Sequence, residues 1–374
     1  MNVVSVVGAR PQFIKAAVVD RALRRLPEIS PVLIHTGQHY HDRMSNIFFE
    51  ELDIPEPDYN LDVGSGSHGD QTGRMLIAME RVLSQIDTAA VIVYGDTNST
   101  LAGALAAVKL HVPVLHIEAG LRSFNRFMPE EINRILTDHA SDILFAPTER
   151  AVANLLREGL PRESIHRVGD VMYDAALFYA ERAEAKSSIL DNLGISPGCY
   201  VLATIHRAEN TDDLSRFGVI CKTLQEVSRR LPVVFPTHPR TRSILAQSGL
   251  SCTDRLLIID PVGYLDMVVL EKNARIILTD SGGVQKEAFF YQVPCVTFRG
   301  ETEWVELVEL GWNRLAPPLS VDFQMLEIEA SLDSQPGAAV ANPYGTGTAG
   351  ESIARMICDQ YSNQSQAVFP AVGS

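Results

Sequence analysis

Three carboxylate side chains in the first half of the chain follow predicted strands or open a predicted helix. Asp96 follows one strand, Glu118 follows the next, and Glu130 opens the helix after it. Alone, Asp96 would serve as a helix cap and Glu130 as a partner of a helix dipole. Because parallel strands end at one edge of a sheet, all three are expected at the same crevice. Carboxylates that crowd together raise one another's pKa, so one can donate a proton while another accepts one.

The second half of the chain carries a motif typical of phosphate binding. A buried strand runs into Ser281-Gly282-Gly283, and a helix begins there. Glycine lets backbone N–H groups approach phosphate oxygens closely, and a helix N-terminus favours negative charge. Glu287 lies about one and a half turns into this helix, where it can accept hydrogen bonds from ribose hydroxyls. A tight strand–helix turn is the alternative interpretation of the two glycines.

Basic side chains near other strand ends provide countercharge for a phosphate. Arg10 and Lys15 stand at the start of the first helix, and His206 follows a strand together with an arginine. His238 and Arg240 repeat that pattern after the next strand. A lone histidine is more often a core residue, but two His/Arg pairs at strand ends indicate anion binding.

The elements that must position these residues alternate between short apolar strands and longer amphipathic helices. Most strands lack polar alternation, as expected of parallel strands buried on both faces. Two series of strand–helix–strand units predict an α/β protein with two Rossmann-like domains, each a doubly wound parallel sheet. Strands are predicted at residues 3–7, 31–35, 90–94, 112–117, 142–146, 165–168, 200–204, 233–236, 256–259, 275–278 and 295–298. Helices are predicted between the strands, for example at residues 12–26, 97–110, 130–140 and 214–231, and a last helix at 350–360.

The domain boundary is predicted near residues 170–195, where a polar helix leads to the turn signal Ser196-Pro197-Gly198. This division gives an N-terminal domain of residues 1–170 with the carboxylates. The C-terminal domain of residues 171–350 carries the phosphate motif. The segment 351–374 is expected to be a helix that crosses back to the first domain, followed by a frayed tail.

Composition argues against several classes of function. The net charge of −14 argues against a protein that coats nucleic acid. No apolar run reaches the ~18 residues of a membrane span, and the N-terminus lacks the basic region of a signal peptide, so a cytoplasmic protein is expected. The five cysteines form no CxxC pair, and no metal or cofactor motif is present. The GxGxxG match at residues 345–350 follows no strand and is rejected.

Six motifs occur in order along the chain and together resemble a known family. They are Gly-Ala-Arg-Pro-Gln-Phe-Ile-Lys (8–15), Tyr-Gly-Asp-Thr-Asn-Ser-Thr (94–100), His-Ile-Glu-Ala-Gly-Leu-Arg (116–122), Pro-Glu-Glu-Ile-Asn-Arg (129–134), Thr-Asp-Ser-Gly-Gly-Val-Gln-Lys-Glu-Ala (279–288) and Asn-Pro-Tyr-Gly (342–345). The chain resembles the non-hydrolysing UDP-N-acetylglucosamine (UDP-GlcNAc) 2-epimerases. The resemblance covers about residues 3 to 357. It implies the GT-B fold, two Rossmann-like domains with the active site in the cleft between them.

The resemblance also implies a reaction without cofactor or metal. UDP is eliminated across carbons 1 and 2 to leave 2-acetamidoglucal, and its return after protonation of the other face gives the manno epimer. The implied catalytic residues are Asp96, Glu118, Glu130 and His206, with Asp96 favoured for proton removal. Arg10, Lys15 and His206 would hold the diphosphate, and Ser281, Gly282, Gly283 and Glu287 would hold UDP. The implied partners are a UDP-amino-sugar substrate and a second copy of the chain in a homodimer.

Several positions depart from the usual bacterial pattern and leave the sugar open. Trp304 replaces an arginine that is common in members acting on UDP-GlcNAc, and Val262 and Met267 replace Gln and Phe. The stretches 36–40 and 68–73 differ as well. These changes resemble the branch that epimerises UDP-2,3-diacetamido-glucuronic acid. The main interpretation is UDP-GlcNAc/UDP-ManNAc epimerisation, and the diacetamido-uronate is the alternative substrate.

Three other functions compete with this interpretation. A GT-B glycosyltransferase would share the fold and the nucleotide half but needs an acceptor, and it usually has one base. A hydrolysing epimerase would release UDP and the free sugar. A sugar-nucleotide sensor would bind without turnover, yet it has no use for a cluster of carboxylates.

Overall fold

The computed structural model describes residues 1–38, 56–237, 239–248, 255–333 and 342–362. His238 and the tail after Ser362 lie outside these ranges, as do the side chains of Arg10 and Arg240. The chain divides into two compact units, Met1–Ala175 with Asn342–Ser374 and Ala176–Ala341. Each unit is built on its own parallel sheet flanked by helices, so the predicted α/β class is confirmed.

The first unit contains a seven-stranded parallel sheet within the described residues, in the order β3-β2-β1-β4-β5-β6-β7. The strands are β1 (Asn2–Val7), β2 (Ser30–His35), β3 (Tyr59–Asn60), β4 (Thr88–Tyr94), β5 (Val114–Ile117), β6 (Ile143–Ala146) and β7 (Ile165–Arg167). The helices are α1 (Arg10–Leu23), α2 (His68–Leu83), α3 (Asn98–Lys109), α4 (Pro129–Ala140), α5 (Glu149–Arg157), α6 (Val171–Lys186), which continues into the second unit, and the last helix (Ala349–Ser362).

The second unit contains a six-stranded parallel sheet in the part of the chain described, in the order β10-β9-β8-β11-β12-β13. The strands are β8 (Val201–Thr204), β9 (Val233–Pro236), β10 (Leu256–Ile259), β11 (Ile276–Thr279), β12 (Cys295–Thr297) and β13 (Asn313–Leu315). The helices are α7 (Ile189–Leu193), α8 (Ala208–Thr211), α9 (Leu214–Ser228), α10 (Pro239–Ser248), α11 (Tyr264–Lys272), α12 (Gly282–Phe290), α13 (Val305–Glu309) and α14 (Val321–Asp333). The last helix, Ala349–Ser362, is α15.

Burial on both faces explains why the central strands are continuously apolar. Val3, Val4, Val6 and Val7 of β1 are fully buried, and Val4 and Val6 pack in one core cluster with residues of α2 and α3. Burying each such side chain contributes roughly 1.5 kcal/mol or more to folding. None of the described helices combines the length and the apolar character that a bilayer span requires.

The strand order places a switch point in each sheet. In the first unit β1 lies between β2 and β4, and in the second β8 lies between β9 and β11. Successive connections run in opposite directions from these strands, so the loops after β1 and β4, and those after β8 and β11, diverge and leave room for a ligand. The candidate site residues of both units lie in these loops or beside them.

Most predicted elements are present, with differences at their ends and two omissions. The predicted helix 12–26 stops at Leu23, because Arg25 and Leu26 bond to carbonyls only three residues back. The short edge strands β3 and β13 were not predicted. Both are too short to show an apolar period, and Tyr59 is exposed.

Candidate active site

An ion pair holds Asp96 at the end of β4. Its Oδ2 accepts hydrogen bonds from Arg134 Nη2 at 2.6 Å and Nε at 3.0 Å. Arg134 also donates to Glu131 at 2.8 Å. Asp96 keeps about a third of its side chain exposed (32%), whereas Arg134 is buried. The guanidinium therefore fixes the partly exposed Asp96 carboxylate at the surface of this unit.

A second ion pair lies beside the first and joins Lys15 to Glu118. Lys15 Nζ donates to Glu118 Oε2, and both side chains are buried. Glu118 has a φ of +71°, a left-handed conformation that is unusual for this residue type. A Cβ on Gly95 would lie 3.1 Å from both charged atoms, so the backbone next to Asp96 closes over this pair. The structure thus brings together Asp96, Glu118 and Lys15.

Glu130 is placed differently from the other two predicted carboxylates. It is exposed in the first turn of α4, and within the described residues no hydrogen bond or ion pair joins it to Asp96 or Glu118. The same helix carries Arg134 one turn further on. The structure therefore does not join Glu130 to the two paired carboxylates.

Helix α4 organises the site through residues that the sequence analysis did not single out. Glu131 accepts hydrogen bonds from the backbone N–H groups of Ser123 and Phe124, each at 2.9 Å. Asn133 donates to the Asp96 carbonyl at 2.9 Å. These residues lie within the motif Pro-Glu-Glu-Ile-Asn-Arg. Residues three and four apart share a helix face. The spacing from Glu130 to Asn133 and Arg134 could therefore have indicated that these two residues also face the site.

Gln12 joins the loop after β1 to the end of β4. Its Oε1 accepts from the N–H groups of Gly8 and Ala9 at 2.9 and 3.0 Å, and its Nε2 donates to the Tyr94 carbonyl at 2.8 Å. The start of α1, with Lys15, is thereby fixed against the turn that leads to Asp96. Arg10 begins this helix.

In the second unit a buried aspartate holds the loop that carries His206. Asp280 is fully buried and accepts from the N–H groups of His206 at 3.0 Å and Arg207 at 3.1 Å, and from Asn210 Nδ2 at 3.1 Å. The His206 ring is 56% exposed, with Nδ1 3.3 Å from Asp280 Oδ1. Asp280 therefore orients a histidine that faces outward. The sequence motif contained Asp280, but no role had been predicted for it.

The Ser-Gly-Gly turn presents the N-terminus of α12. Ser281 caps the helix by accepting from the Val284 N–H at 3.5 Å. A Cβ on Gly282 would lie 3.8 Å from its nearest neighbour, Trp304 Nε1, and one on Gly283 would lie 3.9 Å from Glu287 Oε2. Neither glycine has a positive φ. Packing within this unit does not require glycine at either position, which favours close approach of a ligand to the backbone N–H groups.

That helix N-terminus has both a cation and an anion beside it, and Glu303 Oε2 would lie 3.9 Å from a Cβ on Gly282. Arg207 Nη2 would lie 3.9 Å from a Cβ on Gly282 and is 3.8 Å from Glu303. Lys286 is buried with its Nζ 4.0 Å above the ring centre of Trp304. Trp304, the residue that departs from the usual pattern, therefore packs against a buried ammonium. This end of α12 is suited to a diphosphate.

Metal ions require a group of ligand side chains that lie close together. Among the residues that the structure describes, no group of three or more His, Cys, Asp and Glu side chains could hold a metal ion.

A sequence model of the UDP-N-acetylglucosamine 2-epimerase family matches residues 21–358. The chain belongs to this family. Among its relatives, the UDP-2,3-diacetamido-2,3-dideoxy-D-glucuronate 2-epimerase of Pseudomonas aeruginosa is 55% identical over 84% of this chain and 88% of that protein. The UDP-N-acetylglucosamine 2-epimerase of Methanocaldococcus jannaschii is 45% identical over 96% of this chain and 99% of that protein.

Solved structures of UDP-GlcNAc 2-epimerases share the fold of this family member. The Methanocaldococcus jannaschii enzyme in complex with UDP-GlcNAc and UDP has a TM-score of 0.89 and covers 96% of this chain and 100% of its own. The Neisseria meningitidis enzyme bound to UDP-GlcNAc has a TM-score of 0.85 at 31% identity, covering 96% of this chain and 100% of its own. These comparisons confirm the predicted family and the two-domain GT-B class.

Proposed function

We propose that this family member is a non-hydrolysing 2-epimerase that interconverts UDP-GlcNAc and UDP-ManNAc. The first unit supplies the proton-transfer groups and the second unit binds UDP. The observation that carries the proposal is the pairing of Asp96 with Arg134 beside the buried Lys15–Glu118 pair. Such an arrangement presents one fixed carboxylate to a substrate and keeps a second carboxylate next to an ammonium that can exchange a proton with it.

The reaction begins with elimination. The Asp96 carboxylate takes the proton from C2, the C1–O bond breaks with its electron pair leaving on UDP, and a C1=C2 double bond forms. The C2 proton of an acetamido sugar is weakly acidic, so a positioned base is required. The leaving diphosphate is stabilised by the N–H groups at Gly282 and Gly283 and by the Arg207 guanidinium.

The return step inverts C2. Glu118 delivers a proton to the opposite face of C2, and a phosphate oxygen of UDP bonds again to C1. Lys15 donates to Glu118 and so can restore its proton or stabilise its charge. Glu130, exposed at the start of α4, faces the cationic ring or shares in this protonation. Lys15, Arg10 and His206 remain proposed ligands of the diphosphate, with Ser281 and Glu287 on the UDP side.

A second substrate is favoured by a specific observation. The Pseudomonas aeruginosa relative, which is 55% identical, acts by its name on UDP-2,3-diacetamido-2,3-dideoxy-D-glucuronate. Trp304, which replaces the arginine common in the UDP-GlcNAc branch, packs on buried Lys286 in this chain. The same elimination and return would then take place on a uronate sugar.

Incubation of the purified protein with each UDP-sugar in deuterated water tests both proposals. We expect deuterium at C2 of the recovered substrate and of its manno epimer, with no accumulation of free UDP. Accumulating UDP would indicate a hydrolysing enzyme, and binding without exchange would indicate a sensor. Turnover that requires an added acceptor would indicate a glycosyltransferase. The sugar with the higher kcat/KM identifies the substrate.

A further inference from the structure

A fully buried histidine connects the turns that carry the two paired carboxylates. His116 and Asp138 have no exposed side-chain surface. His116 Nδ1 is 2.6 Å from Asp138 Oδ1, and its Nε2 is 2.7 Å from the Gly95 carbonyl oxygen. Neither Asp138 nor Gly95 was among the predicted site residues.

The partners of this histidine determine how many protons it carries. A carbonyl oxygen only accepts hydrogen bonds, so Nε2 must carry a proton. Asp138 Oδ2 already accepts from Arg122 Nη1 at 2.7 Å and from the Gly120 N–H at 3.1 Å. The Arg122 guanidinium against this second oxygen favours the carboxylate form of Asp138, to which Nδ1 then donates. Two N–H donors make His116 an imidazolium.

The surrounding charges balance this buried cation. Arg122 forms a bidentate pair with Glu158, Nε to Oε1 at 2.8 Å and Nη2 to Oε2 at 2.7 Å. His116, Asp138, Arg122 and Glu158 therefore form a chain of alternating charge with no net charge, which is the condition under which buried ions are tolerated. Burial alone would raise the pKa of Asp138, but the charges and hydrogen bonds of His116 and Arg122 outweigh it and lower that pKa.

The His116–Asp138 pair holds backbone atoms of the two turns that carry Asp96 and Glu118. The Gly95 carbonyl precedes Asp96, and the Gly120 N–H lies two residues after Glu118. Gly95, Glu118 and Gly120 have φ values of +65°, +71° and +82°. Glycine adopts such angles freely, but at Glu118 the left-handed conformation persists only where the surroundings enforce it. One side-chain pair, His116 with Asp138, bonds to both turns.

We propose that His116, kept as a cation by Asp138, is a positioning residue that holds Asp96 and Glu118 in register for proton transfer. The kinetic part of this inference rests on the proposed function, whereas the protonation of His116 is a property of the folded chain alone. His116 itself contacts the Gly95 backbone and Asp138 rather than a reacting group.

The protonation is tested by 15N NMR of the full chain labelled at its histidine side chains. His116→Gln assigns the resonance. We expect both ring nitrogens of His116 to carry a proton in the folded wild-type protein. In Asp138→Asn the amide can donate to Nδ1, so the ring should become neutral with its proton on Nε2. A singly protonated His116 in the wild-type protein would overturn the inference.

Kinetics test the positioning role. We expect His116→Gln to lower kcat by about 10- to 100-fold with KM changed less than about 3-fold, because misplaced groups slow chemistry more than binding. Asp138→Asn can keep the contacts to the Gly95 carbonyl and the Gly120 N–H. This variant should retain kcat within about 5-fold. His111→Asn, at an exposed turn, is the matched control and should be neutral.

The outcomes separate this inference from the proposed function. If the wild-type protein shows a doubly protonated His116 but epimerises no UDP-sugar, the proposed function is wrong and the inferred protonation of His116 is confirmed. If the wild-type protein epimerises and His116→Gln has a normal kcat, the positioning role fails and the function remains.

Discussion

The two units share a topology but use the loops at their switch points in opposite ways. In the first unit the charges near the strand ends are paired side chain to side chain, Asp96 with Arg134 and Glu118 with Lys15. In the second unit the strand-end carboxylate, Asp280, is fully buried and binds backbone N–H groups. The first arrangement leaves ionised groups available to exchange protons. The second rigidifies a loop and leaves a helix N-terminus available to an anion.

The difference originates in the residues that follow each strand. After β4 the chain reads Gly-Asp-Thr, and Gly95 lets the backbone turn so that Asp96 points toward α4. After β11 it reads Asp-Ser-Gly-Gly, where Asp280 comes one residue closer to the strand end than Asp96 does and turns inward. The two loops therefore differ through a few residues on one scaffold, which is the basis of the two roles that we propose for them.

The largest effect is expected for Asp96→Asn. The amide cannot accept a proton, so kcat should fall by at least ~100-fold, while UDP binds as well as before. Epimerisation assayed by NMR and UDP titration by calorimetry measure the two effects. Asp87→Asn, at an exposed loop position, is the control. A normal kcat in Asp96→Asn would mean that the first unit does not carry the chemistry.

The next effect is expected for Gly282→Ala in the second unit. The added methyl fits the protein, since its nearest neighbour lies 3.8 Å away, but it hinders approach to the helix N-terminus. UDP affinity should fall roughly 10-fold, the value of about one good hydrogen bond, with thermal stability unchanged or higher. Gly218→Ala, in α9 with open space around it, should be stabilised without loss of affinity. Equal UDP affinities of the wild-type protein and Gly282→Ala would contradict an anion site at the N-terminus of α12.

The opposite pattern is expected for Gly120→Ala in the first unit. A Cβ there would lie 2.8 Å from Leu155 Cγ and meet the Ala151 carbonyl, and its φ is +82°. The substitution should destabilise this unit by roughly 1–3 kcal/mol, seen as a lower midpoint of thermal unfolding. Together with Gly282→Ala it separates a glycine required by packing from one required by a ligand. A stable Gly120→Ala variant would contradict the crowding seen at this turn.

The smallest effect concerns Asp174, which accepts from the Gly350 N–H at 2.8 Å and so caps α15. Burial raises the pKa of Asp174 to about 6. The folded protein then binds a proton that the unfolded chain has released. This stabilising contribution is full below the ordinary value of 3.8 and is lost as the pH rises through about 6. Asp174→Asn should flatten the dependence of thermal stability on pH between these values. If the pH dependence of thermal stability were the same in Asp174→Asn, the raised pKa of Asp174 would be contradicted.

Local patterns in the sequence were sufficient for the described strands other than β3 and β13, because buried parallel strands are continuously apolar. They also indicated that Asp96 and Glu118 lie at one sheet edge. The ion pairs that these two carboxylates form with Arg134 and Lys15 were not predicted. Arg134 is 38 residues from Asp96, and Lys15 is 103 residues from Glu118. Pairings over such separations depend on which strands become neighbours and on the angle of α4, and neither leaves a periodic signal in the chain.

The role of Asp280 was missed for a different reason. In the sequence it resembles a turn residue before Ser281, and its function becomes visible only where β8 and β11 pair and bring the loop of His206 beside it. A similar argument applies to His116. Its pattern is that of a core histidine in a strand, and its two acceptors come from a neighbouring strand end and from α4.

The most direct test follows solvent deuterium into C2 of the UDP-sugar at saturating substrate, with the wild-type protein, Asp96→Asn and Gly282→Ala side by side. Proton transfer by the first unit and UDP binding by the second predict that Asp96→Asn stays slow at any concentration, whereas Gly282→Ala regains the wild-type rate. Wild-type exchange in Asp96→Asn, or a loss in Gly282→Ala that saturation does not restore, would contradict this division of roles.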